Sequence, residues 1–142
     1  ALTLLKEKPK EPFFVMNGDV LTNVNFKKML NFHLKNKSKA TMCVRTYDYT
    51  VPFGVVTCSD EKIQSIDEKP TQSFFVNAGI YLLDPECIEL IPNNEYYDIT
   101  SLFQKIIDSG ANTTAFPLQE YWLDIGRISE YDQANAEFKQ LF

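Results

Sequence analysis

Phe13-Phe14-Val15-Met16-Asn17-Gly18-Asp19 decides the reading of this chain: four apolar residues suited to a buried strand stop at an amide, a glycine and a carboxylate. Strand ends are where α/β folds place chemistry, because a rigid sheet holds the side chains there outward. A second phrase of this kind lies far downstream, Tyr121-Trp122-Leu123-Asp124-Ile125-Gly126, where one aspartate interrupts an apolar run ahead of a glycine. Two strand-borne carboxylates suit magnesium, which takes one or two carboxylates and completes its shell with water and substrate phosphates. Asp19 and Asp124 are therefore the metal candidates. The residues alone leave a plainer reading open, in which Asp19 caps a turn and Asp124 bonds locally ahead of Gly126.

Working outward from the first phrase, Asn25 is placed to cap a helix whose apolar side Phe26, Met29, Leu30, His33 and Leu34 recurs at helical spacing and ends in the polar stretch 35–39. Ala40 to Thr46 reads as a strand, which predicts a βαβ unit with parallel strands and a right-handed crossover. Gly54 to Thr57 and Ile63 to Ile66 flank Ser59-Asp60-Glu61 as a hairpin. Phe74 to Leu83 reads as a long strand, and Pro85 as the opening of a short helix. Asp98 is expected to cap a helix carrying Ile99, Leu102, Phe103, Ile106 and Ile107 before Gly110. A strand at Thr113 to Phe116, another at Tyr121 to Ile125 and a last helix capped by Ser129 complete the pattern. Residues 1–5 read as the tail of an amphipathic helix with no capping residue ahead of it, so the chain looks cut at its start.

The 142 residues are 44% apolar and 13% aromatic, enough for one domain with a real core over 1–142. A net charge of −5 argues against a nucleic-acid backbone binder, which needs clustered Lys and Arg. Cys43, Cys58 and Cys87 are odd in number and widely spaced, so buried reduced thiols in a cytoplasmic protein are expected rather than disulfides or zinc. No apolar run reaches the roughly 18 residues that a membrane span requires.

Other residues invite chemistry less directly. Asp67-Glu68-Lys69-Pro70 sets two carboxylates and an ammonium before a proline that fixes the backbone, so Lys69 can serve as a point charge for a phosphate; an exposed turn explains it as well. Asn77-Ala78-Gly79 interrupts an apolar strand with an amide and two tiny residues, which leaves room for a ligand at the backbone, or for a bulge or tight helix contact. His33 reads as a satisfied core or boundary histidine. The aromatic series Tyr96, Tyr97, Phe103, Tyr121, Trp122 and Tyr131 reads as core and pocket wall. There is no nucleophile elbow, metal-binding histidine pair or glycine-rich phosphate loop.

In order along the chain, Phe14-Val15-Met16-Asn17-Gly18-Asp19, Pro52-Phe53-Gly54-Val55-Val56, Asp67-Glu68-Lys69-Pro70, Val76-Asn77-Ala78-Gly79-Ile80-Tyr81 and Trp122-Leu123-Asp124-Ile125-Gly126 resemble the sugar-phosphate nucleotidyltransferases, mannose-1-phosphate guanylyltransferases and related hexose- or heptose-1-phosphate guanylyltransferases above all. The resemblance covers about residues 1–135. It implies an α/β fold with a mixed, mainly parallel Rossmann-like sheet flanked by helices. It also implies a reaction of a nucleoside triphosphate, GTP by preference, with a sugar 1-phosphate to give a nucleotide sugar and pyrophosphate. By that likeness Asp19 and Asp124 hold Mg2+ and are catalytic together with Lys69, which contacts the sugar phosphate. Glu68 and Asn77 bind sugar hydroxyls, and Gly54 and Gly79 let the ligand approach the backbone.

One departure stands out. The family's opening strand, its Gly-Gly-x-Gly-Thr-Arg loop and the following Pro-Lys segment, which bind the nucleotide, are absent here. The chain is thus expected to be the C-terminal part of a catalytic domain lacking its nucleotide-binding half, inactive alone, and prone to self-association through exposed sheet edge. The rival is a noncatalytic sugar-phosphate-sensing or assembly module of the same fold. A glycosyltransferase ranks lower, because Leu21 stands where an Asp-x-Asp motif needs aspartate.

Overall fold

The opening apolar run forms strand β1 (Phe13–Met16) in a computed structural model that describes residues 2–93 and 95–141. Its neighbour is β6 (Thr71–Leu83), antiparallel, with Phe13 opposite Leu83 and Met16 opposite Ile80. On the far side of β6 lies β3 (Ala40–Thr50), also antiparallel to it, and β3 pairs in parallel with β7 (Thr113–Pro117). The sheet order is β1-β6-β3-β7. Three strands therefore share one direction and β6 alone runs against them, a mixed sheet in which one direction predominates. The expected βαβ unit has its two strands parallel, but they are not adjacent: β6 lies between them. Local periodicity shows a crossover helix and cannot show that a strand from downstream will enter the gap.

β6 owes its continuous apolar run to burial on both faces. Successive side chains alternate across a strand, so Ala78, Ile80 and Leu82 join Val24, Met29, Cys43 and Leu118 in one core cluster. Tyr81 and Leu83 join Ala40, Cys87, Leu102, Phe103 and Ile106 in the other. Helix α1 (Phe26–Asn36) supplies Met29 to the first cluster, and helix α2 (Ile99–Asp108) supplies Leu102, Phe103 and Ile106 to the second. Each such large apolar side chain contributes about 1.5–3 kcal/mol on burial.

Asn25 caps α1 as its sequence predicts, its Oδ1 accepting from the Lys28 N–H at 2.9 Å. His33 is 1% exposed and satisfied: Nδ1 lies 2.7 Å from Thr41 Oγ1 and Nε2 lies 3.3 Å from Asp84 Oδ1. The hydroxyls of Thr41, Thr114 and Ser38 continue this chain across β3 and β7. Lys39 pairs with Glu86 and Asp84, and the hydrogen bonds to those carboxylates hold its ammonium well above the ordinary lysine range.

Several local expectations are corrected. Leu2–Leu4 is a short 3₁₀ helix with no buried residue rather than the tail of an amphipathic helix, and Ala1 lies outside the described residues. Asp98 occupies the N-cap of α2, but its carboxylate accepts from Tyr96 Oη instead of a helix amide. Helix α3 (Ile128–Leu141) begins one residue before the expected Ser129 cap. There Glu130 Oε2, inside the first turn, reaches back to accept from the N–H groups of Gly126 at 2.9 Å and Arg127 at 2.7 Å, just ahead of the helix.

The cysteines do not share one environment. Cys43 and Cys87 are buried, and burial pushes both thiols up to about 11. Cys58 instead lies exposed on β4 (Gly54–Ser59), contrary to the expectation of three buried thiols. Because the thiolate is the reactive form, iodoacetamide at neutral pH is expected to modify Cys58 alone in the native chain and all three thiols after denaturation. Mass-mapped labelling of Cys43 or Cys87 at the rate of Cys58 would contradict this burial.

Beyond the core, β3 and β6 extend as an arm on which Tyr47, Tyr49, Phe74 and Phe75 are exposed. The arm leads to the hairpin of β4 and β5 (Lys62–Glu68), closed at Asp60-Glu61, where both residues have positive φ as a two-residue hairpin turn of this hand requires. No helix among the described residues is long and apolar enough to cross a membrane.

Candidate functional site

Past β1 the chain turns at Gly18-Asp19 and enters β2 (Val20–Thr22), which pairs antiparallel with β8 (Trp122–Asp124) as a separate two-stranded ribbon. Val20 stands opposite Asp124 and Thr22 opposite Trp122. The Ile125 N–H donates to Asp19 O at 2.7 Å, so the two aspartates that lie 105 positions apart in sequence sit on neighbouring rungs at one end of the ribbon. Asp19 is thus in the turn ahead of β2, not on β1. Both side chains are exposed, and neither carboxylate has a hydrogen-bond or ion-pair partner among the described residues.

Asp124 faces a cleft of about 150 Å³ that it lines with Asn17, Val20, Asn77, Ala78, Gly79 and Trp122. The cleft exists because β6 bulges here. Its register against β3 shifts between Met42 and Val44, and Gly79 takes φ +72°, a conformation open to glycine at little cost. A Cβ at Gly79 would lie 2.9 Å from Asn17 Nδ2 and 3.2 Å from Val20 Cγ2. What the missing side chain admits is therefore the turn after β1, which the Asn17 N–H also ties to Gly79 O at 2.8 Å. Of the two structural explanations that the sequence offered for Asn77-Ala78-Gly79, the bulge operates; the close contact at Gly79 is with the turn after β1 and with β2, not with a helix.

Asn77 is held from both ends of its amide. Oδ1 accepts from the Gly79 N–H at 2.9 Å and Nδ2 donates to Tyr81 Oη at 2.7 Å. An amide carries two acceptor sites and two donor hydrogens, so a fixed Asn77 keeps one of each for a ligand. Burial raises the Tyr81 phenol above its ordinary range, against the opposing effect of the Asn77 bond, and keeps it neutral as a hydrogen-bonding post.

Gly54, Glu68 and Lys69 form a second group on the hairpin and do not line this cleft. Gly54 pairs with Glu68, and a Cβ at Gly54 would lie 3.0 Å from Glu68 Oε2, so the glycine makes room for that carboxylate over the backbone. Lys69 has φ 48° and its N–H donates to Phe53 O at 3.3 Å, closing the hairpin base. A left-handed lysine costs about 1 kcal/mol or more, the kind of local strain found at functional positions. Eight residues of extended chain separate Lys69 from Asn77, roughly 26 Å at strand rise.

Carboxylate oxygens are the kind of donor that magnesium takes, with water and phosphate oxygens in the remaining positions; of the two aspartates, Asp124 lines the cleft and Asp19, one rung away, does not. No group of three or more His, Cys, Asp or Glu placed to hold a metal occurs among the described residues, so a closed protein cage is not built here.

Sequence reasoning missed Arg45 and Asn17. Asn17 belonged to the quoted phrase and its role emerges only with the bulge. Arg45 Nη1 donates to Trp122 O at 3.4 Å, and its guanidinium lies 5.6 Å from the Trp122 ring centroid, contacts that no local pattern announces. The Trp122 indole N–H donates to Ala78 O at 2.8 Å, and Tyr121 Oη donates to Glu137 on α3 at 2.6 Å. Burial and the Glu137 carboxylate push the Tyr121 phenol up to about 12.

Comparison with known proteins follows this geometry. The chain is 33% identical over 132 residues to a UTP–glucose-1-phosphate uridylyltransferase of Synechocystis sp., covering 87% of this chain and 34% of that protein. It is 32% identical over 130 residues to a mannose-1-phosphate guanyltransferase of Candida glabrata, covering 88% of this chain and 36% of that protein. The chain thus spans about a third of the length of these relatives. The crystal structure of HddC from Yersinia pseudotuberculosis matches its fold with a TM-score of 0.64 at 24% identity, over 96% of this chain and 58% of that one. The sheet is that of the nucleotide-diphospho-sugar transferases. The family model described as nucleotidyl transferase matches residues 1–140, which takes in the β1 turn, the hairpin, the β6 bulge and the ribbon alike: the chain belongs to the nucleotidyl transferase family.

Proposed function

We propose that this chain is the sugar-phosphate and metal half of a sugar-1-phosphate nucleotidyltransferase, which transfers GMP from GTP to a sugar 1-phosphate and releases pyrophosphate. The observation that carries the reading is the β2–β8 ribbon, which sets Asp124 beside the fixed amide of Asn77 at a bulge of β6. Family membership and the names of the relatives, guanyltransferase and uridylyltransferase, support the reaction class; the choice of GTP rests on sequence resemblance.

In this reading the attacking group is a phosphate oxygen of the sugar 1-phosphate, ionised at neutral pH, so no general base is required. Asp19 and Asp124 would hold Mg2+, which supplies neutralisation of phosphate charge. Lys69 presents an ammonium to the sugar phosphate, and Asn77 and Glu68 accept or donate at sugar hydroxyls. Gly54 keeps the backbone approachable beside Glu68. Alignment and charge neutralisation then account for the rate.

The nucleotide-binding glycine-rich loop of the family is not among these 142 residues, and the 142 residues alone are expected to be inactive. The test is the upstream reading frame followed by a pyrophosphate-release assay of the complete protein with Mg2+ across GTP, UTP, CTP and ATP and several sugar 1-phosphates. Release that is lost in Asp124→Ala supports the transferase and names its substrates. A frame without a glycine-rich loop, or a complete protein silent across the panel, favours the noncatalytic sugar-phosphate-binding module.

A further inference from the structure

The ribbon that carries Asp19 and Asp124 shares no backbone ladder with the four-stranded sheet. A two-stranded ribbon is marginal in water unless it packs against something. The Asn17 N–H bond to Gly79 O anchors the turn ahead of β2, and side chains hold the rest of the ribbon, with Trp122 on β8 the principal one. Its indole N–H reaches Ala78 O on β6 at 2.8 Å, and its ring packs against the core cluster of Met29, Cys43, Ala78 and Ile80.

Arg45 covers this tryptophan. It sits on β3 opposite Val76 and two residues past Cys43, hence on the same face of the sheet. Its guanidinium lies 5.6 Å from the indole centroid, within the range of a cation–π contact, and Nη1 reaches the Trp122 carbonyl at a long 3.4 Å. Arg45 forms no ion pair with a described carboxylate, although the chain carries 19 acidic residues. A half-buried guanidinium engaged with a ring and its backbone, and not with a counter-ion, acts through the tryptophan.

We propose that Arg45 is a positioning residue: through Trp122 it clamps the β2–β8 ribbon onto the sheet and so sets Asp124 against Asn77 and Gly79. The consequence for function rests on the reading of Asp124 as a metal ligand; the clamp itself does not. The flat guanidinium matters, because it stacks on an aromatic face in a way that an ammonium does not.

The test combines amide hydrogen exchange with Mn2+ titration by electron paramagnetic resonance on the chain and its Arg45→Met and Arg45→Lys variants. The Asn23 and Ile125 amides donate across the ribbon. In Arg45→Met they are expected to exchange about tenfold faster, while β6 amides paired with β1 keep their protection, and Mn2+ affinity is expected to fall about tenfold. Arg45→Lys gives a smaller change of the same kind and carries the test should Arg45→Met not fold. Unchanged ribbon exchange overturns the clamp, and faster ribbon exchange with unchanged Mn2+ affinity overturns its hold on Asp124. If the wild-type chain binds no Mn2+ while ribbon exchange still accelerates, the metal reading of Asp124 fails and the clamp stands.

Discussion

Asp124→Asn is expected to weaken Mn2+ binding to the chain about a hundredfold or more, since loss of a direct ligand exceeds the 10–100-fold typical of outer-shell changes. The thermal midpoint should stay within a few degrees of wild type. Both halves of that expectation come from the same geometry. Asp124 ends β8 exposed and unengaged among the described residues, so its carboxylate supports no neighbour whose loss would cost stability. Asparagine keeps the shape and removes the charge, and exposed substitutions of this kind fall within about 0.5 kcal/mol. In the complete protein the same substitution should lower pyrophosphate release by about 10²–10³-fold, the scale of losing one preorganised electrostatic partner. A titration in which wild type and Asp124→Asn bind Mn2+ alike would remove Asp124 from the metal site, whatever the assay then showed.

That a charge can be removed there so cheaply reflects how the site was legible in sequence. Asp19 and Asp124 are conspicuous because each interrupts an apolar run, and a strand has no local use for such a carboxylate. Strands β1, β4, β5 and β6 and helices α1 and α2 could likewise be read from spacing and caps, because those signals act within a few residues. What could not be read depends on partners far along the chain. The place of β6 between β1 and β3 depends on partners along the whole chain: its two edges pair with β1 and β3, and its two faces are buried by clusters to which α1 and α2 contribute. The start of α3 is held by Glu130 reaching back to the Gly126 and Arg127 N–H groups, an arrangement that the Ser129 cap signal does not reveal. Cys58 has β-forming neighbours like those of Cys43, but its strand belongs to a two-stranded hairpin with no layer over it. Arg45 carries no local signature at all, since its partner lies 77 positions away.

Gly79→Ala is expected to destabilise the chain by about 2–4 kcal/mol, from left-handed strain near 1–3 kcal/mol and overpacking of similar size. That corresponds to a fall in thermal midpoint of roughly 5–15 °C for a chain of this length. The clash is specific. The new Cβ would meet Asn17 Nδ2 at 2.9 Å and Asn17 Cγ at 3.1 Å on the turn after β1, and Val20 Cγ2 at 3.2 Å at the start of the ribbon. Asn17 cannot simply swing away without disturbing a segment whose backbone is tied to Gly79 O at 2.8 Å. The strain and the clash can be separated by a double-mutant cycle, because contacting residues do not add. Asn17→Ala in the Gly79→Ala background should recover the steric part and leave the conformational part, so that the double variant lies between wild type and Gly79→Ala. If Gly79→Ala melts within a degree or two of wild type, β6 does not need its left-handed residue, and the bulge that places Asn77 beside Asp124 is not the rigid feature that the site requires. If it destabilises fully and Asn17→Ala recovers nothing, the Asn17 side chain is not the obstacle, and the cost lies in backbone strain and the 3.2 Å approach to Val20 Cγ2. Partial recovery ties both to one cause: a single glycine admits the turn that carries Asp19 and, by the bulge it permits, aims Asn77 at the ribbon that carries Asp124.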